Sequence, residues 1–394
     1  MSKKKLDCTI TGAGQSEVRR PSDKTSLELL MQAVTRAIDD AGLTPADIDG
    51  VSTWPGEVAH APGISPHGVR AVKESLDLKL NWFSGGGEAP GQFGSIFNAC
   101  AAVSLGLANH VVCFRALYEA SSQTRARRAS VIGSGVDRIE GRYSWQVPFL
   151  AMSGTNWMAQ FAQRHFHEYG TTKEQLAQIP INARKNAALN PNAIYTEPLT
   201  MDQYMNARMI STPLCLFDCD VPIDGATAVI ISSKTAAKDT RKTPIEIESI
   251  GSALHGRDSW DQFDDLTTMA ARDAANMMWE RSDLSPKDVD IAQIYDGFSI
   301  LTLIWLEALK FCGKGEGGAF IEGGKRISRD GELPLNLCGG QLSAGRLHGY
   351  GVLYEACLQL WGEAGERQLS GDTRVAVTAA GGGPLAGCMT LVRP

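Results

Sequence analysis

Apolar residues recur along the chain in two ways: every three to four positions in some stretches and as short unbroken runs in others, the marks of amphipathic helices and buried strands. Residues 29 to 54, LLMQAVTRAIDDAGLTPADIDGVSTW, read as a helix, a Thr-Pro helix start and an apolar strand. The order returns at 269 to 296, MAARDAANMMWERSDLSPKDVDIAQIYD. Leu43-Thr44-Pro45-Ala46-Asp47-Ile48-Asp49 aligns without a gap on Leu284-Ser285-Pro286-Lys287-Asp288-Val289-Asp290. A second echo runs Ser84-Gly85-Gly86-Gly87, a helix near Gln92 to Gly106 and a strand His110 to Arg115. Its partner is Cys338-Gly339-Gly340, a helix near Gly349 to Leu360 and a strand Arg374 to Ala379. Two copies of one helix–strand order predict an α/β fold of two duplicated, layered lobes. A chance match between two common helical units is the other explanation.

Residues 118 to 212 break this rhythm, with helices expected over Asn156 to Tyr169 and Lys173 to Ala188. That is too long for a connection and predicts an inserted loop domain lying over a site. Strand order resumes at Ala226 to Ser232. The division is then 1–117 with 213–240 as the first lobe, 118–212 as the insertion and 241–394 as the second lobe.

Composition narrows the function. The 394 residues are 43% hydrophobic and 21% charged, and they carry a net charge of -6, which suits a globular enzyme and offers no basic face for nucleic acid or acidic lipid. One basic cluster, Arg125, Arg127 and Arg128, is either a solvated loop or a grip on a phosphate of coenzyme A. Nine cysteines form no CxxC pair, which predicts reduced, buried thiols and a cytoplasmic protein. The start MSKKKLDCTITGAG has no apolar signal region, and no run of eighteen apolar residues occurs, so no membrane association is expected. His165 and His167 lie two apart and do not share a helix face, so no metal site is expected there.

Three blocks carry candidate chemistry. Tyr295-Asp296-Gly297-Phe298-Ser299 places a phenol and a carboxylate at a strand end, where Tyr295 could equally be a packing aromatic and Asp296 a cap for the following helix. Arg346, His348 and Tyr350 crowd one turn at a helix start, a clustering typical of sites. Gly381-Gly382-Gly383 after the last-lobe strand can form a tight turn, and they resemble the terminal thiolase loop, which implies backbone N–H groups that help bind a thioester oxygen.

These blocks resemble the thiolase superfamily, and specifically its sterol-carrier-protein branch. MDQYMNARMISTPLCLFDCDVPIDGATAVII (201 to 231) is similar to the segment that closes the inserted domain and re-enters the first lobe. Asn336-Leu-Cys-Gly-Gly-Gln-Leu-Ser-Ala-Gly-Arg-Leu-His-Gly-Tyr, with Trp361-Gly-Glu-Ala-Gly-Glu-Arg-Gln beyond it, is similar to the family's Asn-x-x-Gly-Gly and Gly-His-Pro block. The similarity runs from residue 6 to 392. Thiolases use a nucleophilic cysteine at a helix N-terminus, a histidine and a second cysteine. The matching positions here hold Glu88 or Ala89, Arg346 and Ala380. Cys100, Cys338 and Cys388 stand elsewhere.

Lost cysteines with tyrosine in place of the His of His-Asp-x-Phe-Ser resemble the steroid side-chain acyl-CoA aldolases of the lipid-transfer-protein type. That resemblance implies retro-aldol cleavage of a β-hydroxyacyl-CoA thioester, with coenzyme A present as part of the substrate and no bound cofactor. It implies acid/base work by Tyr295, whose phenolate Arg346 would favour while His348 or Tyr350 returns a proton. The family's second tyrosine falls at Arg346, with Tyr350 a nearby substitute. The resemblance further implies a small zinc-ribbon/OB-fold partner and a homodimer paired through first-lobe strands, for which His110 to Arg115 is the expected strand. The alternative is a non-catalytic acyl-CoA or sterol-binding protein.

Overall fold

The computed structural model describes residues 6–58, 61–122, 143–151, 153–254 and 265–394. Arg125, Arg127, Arg128, His60 and His255 lie outside the described residues. The strands are β1 (Thr9–Gln15), β2 (Gly50–Thr53), β3 (Trp82–Gly85), β4 (His110–Tyr118), β5 (Met209–Ser211), β6 (Leu214–Cys215), β7 (Asp224–Ser232), β8 (Ile245–Ala253), β9 (Ile291–Ile294), β10 (Val375–Gly381) and β11 (Ala386–Val392). All but β5 and β6, which form a small ribbon, join one mixed sheet in the order β3-β2-β4-β7-β1-β8-β11-β10-β9.

The sheet has two halves with the same wiring. In the first, β2 runs parallel to β3 and β4, then β4, β7 and β1 alternate in direction. In the second, β9 runs parallel to β10, and β10, β11 and β8 alternate. The place of β3 is taken by residues 334–336, where Ala292 forms a parallel bridge to Leu335. Within the sheet, among the described residues, the halves pair through Thr9 with Glu246 and Ile10 with Ile245.

Side chains repeat as well as strands. Thr44 and Asp47 close a capping box on the turn before β2, and Ser285 and Asp288 close the same box before β9. The Asp49 carboxylate then accepts the N–H groups of Asn109 and His110, both at 2.9 Å. Asp290 does the same for Arg374 and Val375 at 2.8 and 2.9 Å. Each aspartate fastens the loop entering the next parallel strand, so the echo in sequence is a duplication and not a chance match.

Helix α1 (Ser26–Ala41) starts at a Thr25–Glu28 capping box, ends at Gly42 in the left-handed region, and buries Leu30, Ala33, Val34, Ala37 and Ile38 on the first half-sheet. Helices α2 (Gly94–Ser104) and α7 (Tyr350–Trp361) follow the two glycine turns. Between β4 and β7 in the chain lie α3 (Gly154–Tyr169) and α4 (Gln178–Ala187); α5 (Met269–Arg281) is the second-half counterpart of α1. Helix α6 (Ser299–Ala308) is buried at every position, as a helix apolar on all sides must be. It shares one core with parts of α2, α3 and α7, so the residues at the strand ends are held by both halves and by α3.

One expectation is corrected here. β4 is paired on both sides within the chain, to β2 and β7, and has no free edge to offer a second copy. The free edge of the first half is β3, whose Phe83 is 68% exposed.

Candidate active site

Tyr295 and Asp296 directly follow β9, and their position is set by a side chain acting as a strand. The Asn336 amide accepts the N–H of Ile294 at 2.7 Å and donates to the Ile294 carbonyl at 2.8 Å. Asn336 has φ of 49°, a conformation asparagine tolerates better than most residues. Its segment is clasped by α4 and the residues after it: Asn182 and Asn186 of α4 donate to the Leu335 carbonyl at 3.2 and 2.9 Å, and Asn190 donates to that of Cys338 at 2.9 Å.

The Gly-Gly pair that follows is a close-approach device. A β-carbon on Gly339 would sit 2.5 Å from that of Ala187, and one on Gly340 would collide with Asp296 Oδ2. Asp296 is therefore pressed against this turn, where its Oδ1 accepts the Gln341 N–H at 2.8 Å. Its other oxygen has no protein partner, and burial raises the carboxyl to about 6. The capping role open to Asp296 is not what it does: the α6 N-terminus has no side-chain cap, and Ser299 donates to Asp218 at 2.5 Å.

Tyr295 is 8% exposed. Its hydroxyl lies 2.8 Å from where a β-carbon on Gly297 would be, so Gly297 is the floor that admits the phenol. The Gly297 carbonyl accepts the Asp220 N–H at 3.1 Å. Burial, followed by the charge of Asp220, raises the Tyr295 phenol above its ordinary value, and Arg346 only partly opposes this. Arg346 thus does not turn Tyr295 into a phenolate, contrary to expectation, and the phenol stays protonated.

Arg346 is occupied by two carboxylates. Its Nε donates to Glu119 Oε2 at 2.8 Å and its Nη2 pairs with Glu119 Oε1. Its Nε also stands 3.5 Å from Asp220 Oδ2. Glu119 is fully buried, whereas Arg346 and Asp220 keep 23% and 12% side-chain exposure and form the cluster's open side. Burial raises the Asp220 carboxyl to about 7, Arg346 lowering it and Glu119 and Asp296 adding to the rise.

His348, at φ of 55°, lies under the Trp54 and Tyr295 rings, with centroids 5.8 and 6.1 Å away. Buried Arg115 donates to His348 Nδ1 from Nε at 3.1 Å and from Nη2 at 2.8 Å. Burial and then the charges of Arg115 and Arg346 push the imidazole pKa well down. Nδ1 is an acceptor, so the single ring proton sits on Nε2, 3.2 Å from the Gln92 amide nitrogen. His348 is a fixed N–H donor.

Tyr350 is set apart from these groups. It is buried at the start of α7 and its hydroxyl meets Ser95 Oγ at 2.6 Å, while burial raises its pKa strongly. The glycines lie at the β10–β11 turn: Gly381 accepts from Trp305 Nε1 at 3.1 Å, Gly382 donates to the Leu385 carbonyl at 3.0 Å, and the Gly383 carbonyl accepts from Ala270. The N–H of Gly382 therefore closes the turn. Leu385 approaches Gly91, beside the stretch holding Glu88 and Ala89, and no thiol stands there. Burial raises the thiols of Cys113, Cys338 and Cys388, and a hydrogen bond with Cys8 followed by burial raises that of Cys100, which argues against a thiolate nucleophile. Among the described residues no His, Cys, Asp and Glu side chains group as a metal site, and no helix is long and apolar enough to cross a membrane.

Likeness to known proteins decides the family to which this geometry belongs. The chain is 33% identical over 389 residues to the "Steroid side-chain-cleaving aldolase" of Thermomonospora curvata, covering 96% of each. The chain belongs to the thiolase-like aldolase family. It is also 33% identical to the "17-hydroxy-3-oxo-4-pregnene-20-carboxyl-CoA lyase" of Mycobacterium tuberculosis, over 96% of this chain and 97% of that one. Residues 252–393 match the family described as Thiolase C-terminal domain-like. The solved structure named "Ltp2-ChsH2(DUF35) aldolase" superposes with a TM-score of 0.87 at 32% identity, covering 98% of both chains. Human mitochondrial 3-ketoacyl-CoA thiolase, at 16% identity over 98% of each chain and a TM-score of 0.69, shares the fold.

Within this aldolase-family site, Arg115, Glu119 and Asp220 were not singled out by sequence reasoning. The available signal was a charge inside an apolar run, in HVVCFRALYEA and FDCDVPIDG.

Proposed function

We propose that this chain is an acyl-CoA carbon–carbon lyase that splits the Cα–Cβ bond of a β-hydroxyacyl-CoA thioester by a retro-aldol reaction, with Tyr295 as the proton-transferring phenol. The observation that carries this reading is a protonated phenol, seated over Gly297 beside the Asp220–Arg346–Glu119 cluster, in a thiolase-family fold whose nucleophile position holds no thiol. A retro-aldol needs a proton acceptor for the β-hydroxyl, a donor for the enolate and polar support for the thioester oxygen, and no acyl-enzyme. His348 Nε2–H is a neutral donor of the kind that supports such an oxygen, and the Gly381–Gly383 turn is proposed to border the thioester. Tyr350, already bonded to Ser95, positions α7 and takes no proton.

The names of the two aldolase-family relatives support a polycyclic β-hydroxyacyl group, such as a steroid side-chain intermediate, as substrate. The superposing aldolase is named as Ltp2 joined to ChsH2(DUF35), which supports a small zinc-ribbon/OB-fold partner for this chain, and the exposed β3 edge supports a homodimer. The division into two lobes with residues 118–212 inserted belongs to the same reading, as does a cytoplasmic location. The test is incubation with a panel of β-hydroxyacyl-CoA esters, 17-hydroxy steroid thioesters included, with and without a small partner, followed by mass spectrometry for the ketone or aldehyde and the shortened acyl-CoA. Thermal stabilisation by every ester without product would establish the non-catalytic binding reading instead.

A further inference from the structure

We infer that Asp220 is the catalytic base that works with Tyr295, supplying the function that Arg346 cannot. This rests on the retro-aldol reading. A guanidinium stays protonated in a protein, and Arg346 is held more firmly so, since Asp220 and Glu119 outweigh the effect of burial. The acceptor must therefore come from another side chain, and the geometry leaves one. Glu119 is fully buried and bound by two nitrogens of Arg346. Asp296 is fully buried behind the Gly340 turn, where only a glycine leaves room for it. His348 has its basic nitrogen filled twice by Arg115.

Asp220 differs on each count. It touches Arg346 through one oxygen at 3.5 Å and reaches the open side of the cluster. Its backbone is fixed on both sides: its N–H goes to the Gly297 carbonyl at 3.1 Å, and Val221 donates to Gln341 and accepts from Arg346, at 3.0 and 2.8 Å. The Gly297 link matters most, because the Tyr295 hydroxyl is seated on the same glycine. The charged and titratable groups facing Asp220 are Arg346, Glu119, Asp296, Tyr295 and Cys219; burial, opposed by Arg346 and helped by Glu119 and Asp296, brings its carboxyl to about 7. It is thus ionised above neutrality and more basic than an ordinary aspartate.

The proton inventory closes. Asp220 takes the β-hydroxyl proton as the O–H electrons become the new C=O bond, the Cα–Cβ bond breaks, and its electron pair forms the thioester enolate. Tyr295 gives its phenol proton to Cα of the enolate, leaving a phenolate and a shortened acyl-CoA. The proton on Asp220 then passes to the Tyr295 phenolate, which restores both groups without an outside reactant.

The experiment compares full-length wild type, Asp220→Asn and Asp220→Glu, each with the partner if turnover requires it, on an ester the wild type cleaves. Asp220→Asn should lower kcat by roughly 10²–10⁴-fold, with KM changed less than about threefold, and the acidic limb of the kcat/KM profile near pH 7 should vanish. Asp220→Glu should recover part of kcat and shift that limb. Should Asp220→Asn fail to fold, the limb shift in Asp220→Glu decides. A folded Asp220→Asn with wild-type kcat, or a limb unmoved in Asp220→Glu, overturns the role of Asp220 while leaving the retro-aldol reading standing. A wild type that cleaves no ester overturns both.

Discussion

The chemistry of single residues here is decided by what each already holds. Tyr295 keeps its proton because burial and the Asp220 charge both disfavour the phenolate. Replacing it with Phe keeps the ring over Gly297 and removes only the hydroxyl, so kcat should fall by about 10² or more with acyl-CoA affinity unchanged. Measuring turnover alongside the melting temperature checks this. Normal turnover by a protein that melts early would show that Tyr295 is a packing aromatic. The candidates legible in sequence were those inside motif blocks: Tyr295, Asp296, Arg346 and His348 do meet, whereas Tyr350 is turned to Ser95. What the linear chain concealed was the partner of each. Glu119 and Arg346 are 227 positions apart, Arg115 and His348 are 233 apart, and neither Arg115 nor Glu119 carries a local signal beyond being a charge amid apolar neighbours.

At the scale of elements, the duplication was readable because amphipathic periodicity and the Thr/Ser-Pro capping box survive in both copies. The missing strand of the second half was not, since residues 334–336 lack a strand's length and Asn336 substitutes side-chain hydrogen bonds for a ladder. Asn336→Ala leaves a buried N–H and C=O of Ile294 unpaired at that side and should cost about 2–6 kcal/mol, given ~1–3 kcal/mol for each of the two groups stranded. Denaturant unfolding would register this as a lower midpoint with an unchanged slope. An unchanged midpoint would mean that water serves Ile294 as well as the amide does. The free edge makes a separate demand. An exposed Phe83 on an edge strand invites a second copy, and Phe83→Lys should convert a dimer to a monomer in light scattering. A wild type that is already monomeric at micromolar concentration would refute the dimer.

For the whole molecule, the site is a destabilising charge arrangement that the rest of the fold must offset. Burial raises Asp220 from 3.8 to about 7 and Asp296 from 3.8 to about 6. A carboxyl whose folded-state value lies above its unfolded one gives its full stability below pH 4, where it is protonated in both states. That stability is lost as pH rises through 4 to the folded value. The capping carboxylates Asp47 and Asp288 are shifted the other way by hydrogen bonds from Thr44 and Ser285, so their contribution is lost as pH falls below about 4 and leaves the higher window untouched. These two carboxyls therefore contribute a decline between about pH 4 and 7, each up to ~1.4 kcal/mol per pH unit until its folded value is passed, set against the rise up to about pH 6.5 that His348, its imidazole pKa pushed well down by burial, contributes. Neutralising a site carboxyl should flatten this decline, so Asp220→Asn and Asp296→Asn should each be more stable than wild type at pH 8 and nearly equal to it at pH 4.5. This is the opposite of what loss of an ordinary salt bridge would do, and it separates an inactive catalyst from a broken fold. Urea titrations of the three proteins at the two pH values give the comparison, and an Asp220→Asn protein weaker than wild type at pH 8 would mean that Arg346 needs the second carboxylate more than the fold is burdened by it.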